Sequence, residues 1–229
     1  SGAQSGEVRC WGEGAGGRLG LGNTSDIGDN ELPSSALAVH LPERAVSLTL
    51  GGSHTCALLE SGNVSCWGDG MSGQLGLGVK MILGDNEFPD SVASLNIGGR
   101  VIKLTAGEDH TCTLLATGAV RCWGEGDVGR LGYGNTNDIG DNEQPADAGN
   151  VPLGGLALDI AAGRYHTCAL IDAYEETPGG IRCWGAGVNG RLGNMSSSAI
   201  GDDELPSSVP FVAIGGQAVR LTAGERHTC

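Results

Sequence analysis

Twelve of the 27 acidic residues fall in or beside four short loops that share one position in a repeating pattern. The loops are Gly28-Asp29-Asn30-Glu31, Gly84-Asp85-Asn86-Glu87, Gly140-Asp141-Asn142-Glu143 and Gly201-Asp202-Asp203-Glu204, each two residues before a proline, with Asp26, Asp90 and Asp138 alongside. Glycine-containing loops rich in carboxylate oxygens suit Ca²⁺, the one cofactor this pattern suggests. The candidate ligands are Asp29, Glu31, Asp85, Glu87, Asp141, Glu143, Asp202 and Glu204. No EF-hand spacing is present, and the competing reading is a Gly-Asp turn whose carboxylates cap backbone N–H groups. A hydrolase or lyase that uses this acidic rim, with Asp29 and Asp141 as its first carboxylates to test, is a third reading.

Cysteine and histidine recur with the same regularity. Cys-Trp-Gly begins at Cys10, Cys66, Cys122 and Cys183, and His-Thr-Cys ends at Cys56, Cys112, Cys168 and Cys229. No Cys-x-x-Cys occurs, and each cysteine pair has a single nearby histidine, too few ligands for a closed zinc site. If Glu60-Ser61-Gly62 is a three-residue hairpin loop with Gly62 left-handed, Leu59 faces Asn63 and Cys56 faces Cys66 as a non-hydrogen-bonded pair. Such partners have Cα atoms about 4.5 Å apart, at the short end of disulfide geometry. The same parity predicts Cys112–Cys122 and Cys168–Cys183, and leaves Cys10 and Cys229 as halves of a fourth bridge, within one chain or between chains. Reduced, buried cysteines are the alternative. Disulfides imply an oxidising location: extracellular, periplasmic or cell-surface. His54, His110, His166 and His227, each beside a threonine, read as ties between strands, and Trp11, Trp67, Trp123 and Trp184 as core. Asn23, Asn63 and Asn194 begin formal N-glycosylation sequons.

The elements that carry these residues are short. Glycine makes up 42 of 229 residues, charged residues 17% and hydrophobic residues 39%, a composition of many tight turns rather than of disorder. No apolar run approaches the roughly 18 residues of a membrane span, so direct membrane insertion is not expected. A formal net charge of −14 repels phosphate backbones and disfavours nucleic acid as a partner.

The cysteine markers repeat at intervals of 56, 56 and 61 residues, the five extra residues falling around 174–178. The chain reads as one array, with units of about 10–65, 66–121, 122–182 and 183–229. Alternating stretches at 45–50, 101–106 and 218–223 read as strands, each followed by glycine, a His-Thr-Cys strand, a turn and a strand ending in Cys-Trp-Gly. A Gly-rich loop comes next, Gly73-Gln74-Leu75-Gly76 or Gly129-Arg130-Leu131-Gly132, and stretches such as 92–97 supply a fourth strand. No sustained helical period occurs. Four short strands per unit predict an all-β fold, a β-propeller of four-stranded antiparallel blades.

The run His-Thr-Cys-Ala-Leu-Leu-Glu-Ser-Gly-Asn-Val-Ser-Cys-Trp-Gly followed by Gly-Gln-Leu-Gly-Leu-Gly resembles the repeat of the regulator of chromosome condensation family, with a bacterial secreted or surface subgroup as the nearest fit. The resemblance spans all four units and implies a propeller, usually of seven blades. Plant ultraviolet-B photoreceptors of the family carry extra tryptophans beside the His-Thr element. Here those positions hold Ser53, Asp109, Tyr165 and Arg226, so light sensing is not implied. A secreted inhibitor of β-lactamases also shares the repeat. Residues 7–11 are expected as the third strand of one blade and 227–229 as the second, so the two ends complete a blade: a closed four-bladed ring, or part of a larger propeller or assembly. The resulting expectation is a non-enzymatic, secreted or surface propeller that binds a protein partner or itself. An enzyme inhibitor is the second reading.

Overall fold

Alternating apolar residues, β-branched side chains and glycine turns give a succession of antiparallel hairpins. The computed structural model describes residues 6–173 and 179–229. Three blades are complete enough to name their strands. The first holds β1 (Ala45–Leu50), β2 (His54–Leu59), β3 (Val64–Asp69) and β4 (Ile82–Leu83), paired in that order. The second holds β5 (Val101–Ala106), β6 (His110–Leu115) and β7 (Val120–Gly124), and the third β8 (Ala157–Ala162), β9 (His166–Ile171) and β10 (Gly180–Gly185). Helix among the described residues is confined to three-residue 3-10 turns.

Each blade's fourth position is built differently from the expected strand at 92–97. Ile27, Leu83, Ile139 and Ile200, just ahead of the acidic loops, pair with the glycine of Trp-Gly at Gly12, Gly68, Gly124 and Gly185. Farther along, the expected strand is a single backbone bond per unit: Val39 to Val8, Leu95 to Val64, Val151 to Val120 and Val212 to Ile181. Prolines such as Pro89, which open 3-10 turns just after the acidic loops, remove donors and interrupt the ladder.

The hairpin register places Cys56 opposite Cys66, Cys112 opposite Cys122 and Cys168 opposite Cys183. All three pairs are bridged, with Cα atoms 4.0–4.1 Å apart. The five extra residues of the third blade, 174–178, lie outside the described residues.

The terminal half-blades depart from expectation. Residues 7–11 and 218–223 form no ladder; one bridge, Ala223 to Thr228, marks the C-terminal hairpin. Cys10 and Cys229 are both free, so the same-chain bridge is not formed. The blades follow one another in an open arc. Backbone bonds step from Gly52 to Glu108, Glu108 to Arg164 and Arg164 to Glu225, and among the described residues none returns to the first blade. Trp11 is accordingly 64% exposed, while Trp67, Trp123 and Trp184 are fully buried.

Candidate functional site

Each seam between blades has the same construction. His54 Nε2 lies 2.8 Å from Thr111 Oγ1 of the next blade; His110 meets Thr167 and His166 meets Thr228 at 2.9 Å. The threonine hydroxyls donate to the Gln74, Arg130 and Arg191 carbonyls at 3.2–3.3 Å. A hydroxyl has one proton, so it accepts from the ring, and each imidazole is the Nε2–H tautomer. The Nδ1 atoms are buried without a partner. Burial drives the His54 and His166 pKa values down to about 4, with Arg191 and His227 adding to the effect at His166. His110, buried and facing Arg130, is held well below the ordinary range. These three rings tie strands; they are neutral and enclosed.

The Gly-x-Leu-Gly loop makes the second half of the seam. Leu75, Leu131 and Leu192 are almost fully buried, each worth about 1.5–3 kcal/mol of apolar burial. Trp67 and Trp123 donate from Nε1 to the Arg18 and Gln74 carbonyls of the preceding loop at 3.1 and 3.0 Å. Glycine is required where loop meets indole: Gly76 has φ +71°, and a Cβ there would stand 2.8 Å from Trp123 Nε1.

This loop docks on the acidic loop of the next blade. Gly22, Gly78 and Gly134 donate backbone N–H bonds of 3.0 Å to the carbonyls of Gly84, Gly140 and Gly201. The eight carboxylates proposed from sequence do not converge on one centre; they are spread over four loops, three of which are docked in this way. Glu31 Oε1 accepts from the Gly28 N–H at 3.0 Å, and Lys80 pairs with Asp141 at 3.1 Å. One oxygen of Glu87 and one of Glu204 are buried without a hydrogen bond. Both carboxyls are pushed up, by burial first and then by Asp85 or Asp203 beside them. Asp202, Asp203 and Glu204 alone, among the described residues, bring three ligand oxygens within 4.8 Å of one another.

What leaves the seams free is the tip of each Gly-rich loop. Met71, Val128 and Val188 are 53%, 39% and 50% exposed; Met71 and Val188 hold the first place of the two-residue tip and Val128 the second, between the same flanking glycines of each loop, so the tips fall along one rim. Val128 has φ +54°, a left-handed conformation that a β-branched residue rarely adopts. A second exposed row stands on the innermost strands. The β1–β2, β5–β6 and β8–β9 ladders each slip by one residue, at Val46, Ile102 and Leu158, and all three side chains are turned out to solvent. The sequence reading missed a further element, an acid five residues before the loop arginine: Arg18 Nη1 bonds Glu13 at 2.6 Å, and Arg130 Nη1 bonds Glu125. The constant spacing was the signal.

The regulator of chromosome condensation (RCC1) repeat profile matches residues 5–58, 61–114 and 117–170, and a second profile of the same repeat matches 45–74 and 101–130. Human probable E3 ubiquitin-protein ligase HERC4 is 32% identical over 86% of this chain, which covers 17% of that protein. The Arabidopsis thaliana ultraviolet-B receptor UVR8 is 31% identical over 99% of the chain, which spans 47% of the receptor. Among solved structures, human WBSCR16 superposes with a TM-score of 0.74 at 22% identity, over 98% of this chain and 52% of that one. Yeast RCC1 (Prp20), in its complex with Kap60, gives 0.65 at 22% identity, over 97% and 49%. The chain thus spans from under a fifth to about half of these relatives, and with the repeat profile matching most of its length it belongs to the regulator of chromosome condensation (RCC1) repeat family.

Proposed function

We propose that this chain is a non-enzymatic propeller module that binds another protein through the rim of loop tips, and that it works in an oxidising compartment, outside the cell or at its surface. One observation carries the binding reading: the recurrent residues lie inside the seams, whereas the two-residue loop tips Met71-Ser72, Asp127-Val128 and Val188-Asn189 differ in sequence from blade to blade and expose Met71, Val128 and Val188. Variable loops on a repeated scaffold are the usual recognition surface of such proteins. The relatives fit this use, since yeast RCC1 is seen bound to Kap60. The three disulfides support the compartment.

The test is capture of surface or secreted proteins by the wild type and by the Met71→Asp/Val128→Asn/Val188→Asp variant. A partner retained by the first and lost by the second, with unchanged circular dichroism, supports the rim. Equal retention by both overturns it.

A further inference from the structure

Arg191 occupies the place of Arg18 and Arg130 but lacks their acid. In all three the Nε donates to the carbonyl three residues back, Ala15 at 2.8 Å, Asp127 at 3.0 Å and Val188 at 2.9 Å, so the guanidinium forks are held alike. Nη1 of Arg18 and of Arg130 is then taken by Glu13 and Glu125. The matching residue in the third blade is Ala186, and Arg191 Nη1 is buried with no hydrogen-bond partner. Arg191 as a whole is only 5% exposed. Its neighbours add charge rather than cancel it. Arg226 takes the place that Tyr165 holds beside Arg130, and the nearby Glu225 is already shared by Arg164 at 3.0 Å and Arg226 at 3.2 Å. Burial and Arg226 both weaken the proton's hold on Arg191, and Glu225 and Tyr165 offset this only in part. An arginine stays charged under such conditions, and a buried, unpaired charge is costly enough to favour any ligand that pairs with it.

We propose that Arg191, in the cleft it lines together with Asn189 and Arg226, forms a carboxylate-binding site, in which the ligand's oxygens take on Nη1 the position that Glu13 and Glu125 hold in the other blades. The ligand is an acidic side chain of a partner protein or a free small carboxylate. Both have the shared chemistry, a planar anion that accepts from a guanidinium edge. Arg226, with a side chain 63% exposed, is the group that swings aside to admit it. The site stands apart from the rim reading: it needs neither Met71 nor Val128, and its test uses no protein partner.

The experiment follows the Ala186 amide and the arginine Nε–H signals by NMR. The probes are sodium acetate and the blocked tripeptide acetyl-Gly-Glu-Gly-amide. Controls are sodium chloride at equal ionic strength and acetyl-Gly-Gln-Gly-amide. The wild type is expected to show saturable shifts at Ala186 and Arg191 with the two carboxylates, at least tenfold stronger than with either control. Ala186→Glu supplies the missing acid from within; it is expected to melt higher and to lose the response. Arg191→Gln, if folded, loses it too. A tripeptide that binds at least tenfold more tightly than acetate identifies the protein side chain as the source, and any smaller preference identifies a small carboxylate. No carboxylate-specific shift, an equal response to chloride, or a response that persists in Ala186→Glu overturns the proposal.

Discussion

His54, His110 and His166 must stay neutral to donate to the next blade's threonine without charging a buried seam. Their pKa values are lowered, so the unfolded chain binds more protons than the folded one below the ordinary histidine range. The stability they secure is complete above pH 6.5 and is lost as pH falls toward about 4. For His54 this is on the order of 3 kcal/mol across the window. The urea midpoint of His54→Gln is therefore expected to vary less between pH 7 and pH 4.5 than that of the wild type, and a parallel fall in both would refute the assignment. Thr167→Val removes the acceptor for His110 and is expected to cost about 1–3 kcal/mol. Val128 is the opposite case, a residue that costs stability. A left-handed backbone at a β-branched side chain is unfavourable by about 1–2 kcal/mol, and the equivalent Asn189 at φ +62° shows which residue fits. Val128→Asn is expected to raise the unfolding free energy by about 1 kcal/mol, read from the urea transition, while weakening partner capture. The histidines' tying role was legible from their recurrence beside threonine. Their acceptors were not, because each lies in another blade 57 or 62 residues along the chain.

The hairpins and the loops were legible to different degrees. The register of β2 with β3 follows from Gly62 alone, whose φ of +90° closes the three-residue turn, so the cysteine pairs could be counted out from the sequence. Alkylation without reductant is expected to label two thiols, Cys229 quickly and Cys10 slowly, since burial pushes the Cys10 thiol up. Eight labelled thiols would show that the bridges are absent. The acidic loops resisted the same reasoning. Gly140-Asp141 meets Gly73, a contact between neighbouring blades that no pattern within one repeat announces, so the docking role of the loop backbone was not legible beside the turn and cation readings of its side chains. Calcium at Asp202, Asp203 and Glu204 would raise the melting temperature in millimolar CaCl₂ and leave Glu204→Gln unmoved. Identical melting in CaCl₂ and EDTA removes that reading. The fourth strand was misplaced for a related reason: residues 92–97 have strand-like composition, but proline and a single anchoring bond hold them beside the sheet rather than in it.

The open arc follows from the way the seams add up. Among the described residues the backbone bonds between blades step from each blade to the next, so stability is nearly a sum of blade terms and seam terms. The repeat count was legible from the cysteine intervals, whereas closure was not, because each seam joins residues of different repeats, such as Gly76 against the Trp123 indole and Gly132 against that of Trp184. Mutating one seam leucine should weaken two blades together: Leu131→Ala is expected to cost about 2–5 kcal/mol and to raise amide exchange in β5–β7 and β8–β10 more than in β1–β3. Uniform protection loss along the chain would argue against nearest-neighbour coupling.

The disulfides give this arrangement a mechanical signature. Stretched from its ends in a force spectrometer, the chain should yield one blade at a time rather than all at once. A 56-residue repeat pulled straight would extend about 20 nm. The bridge from Cys112 to Cys122 shields the β6–β7 hairpin, with its 10-residue separation, from tension. Each rupture of an oxidised blade is then shorter, about 16 nm. Adding reductant should lengthen the spacing between force peaks without changing their number, so the protein would act as an extensible tether whose reach is set by the redox state around it.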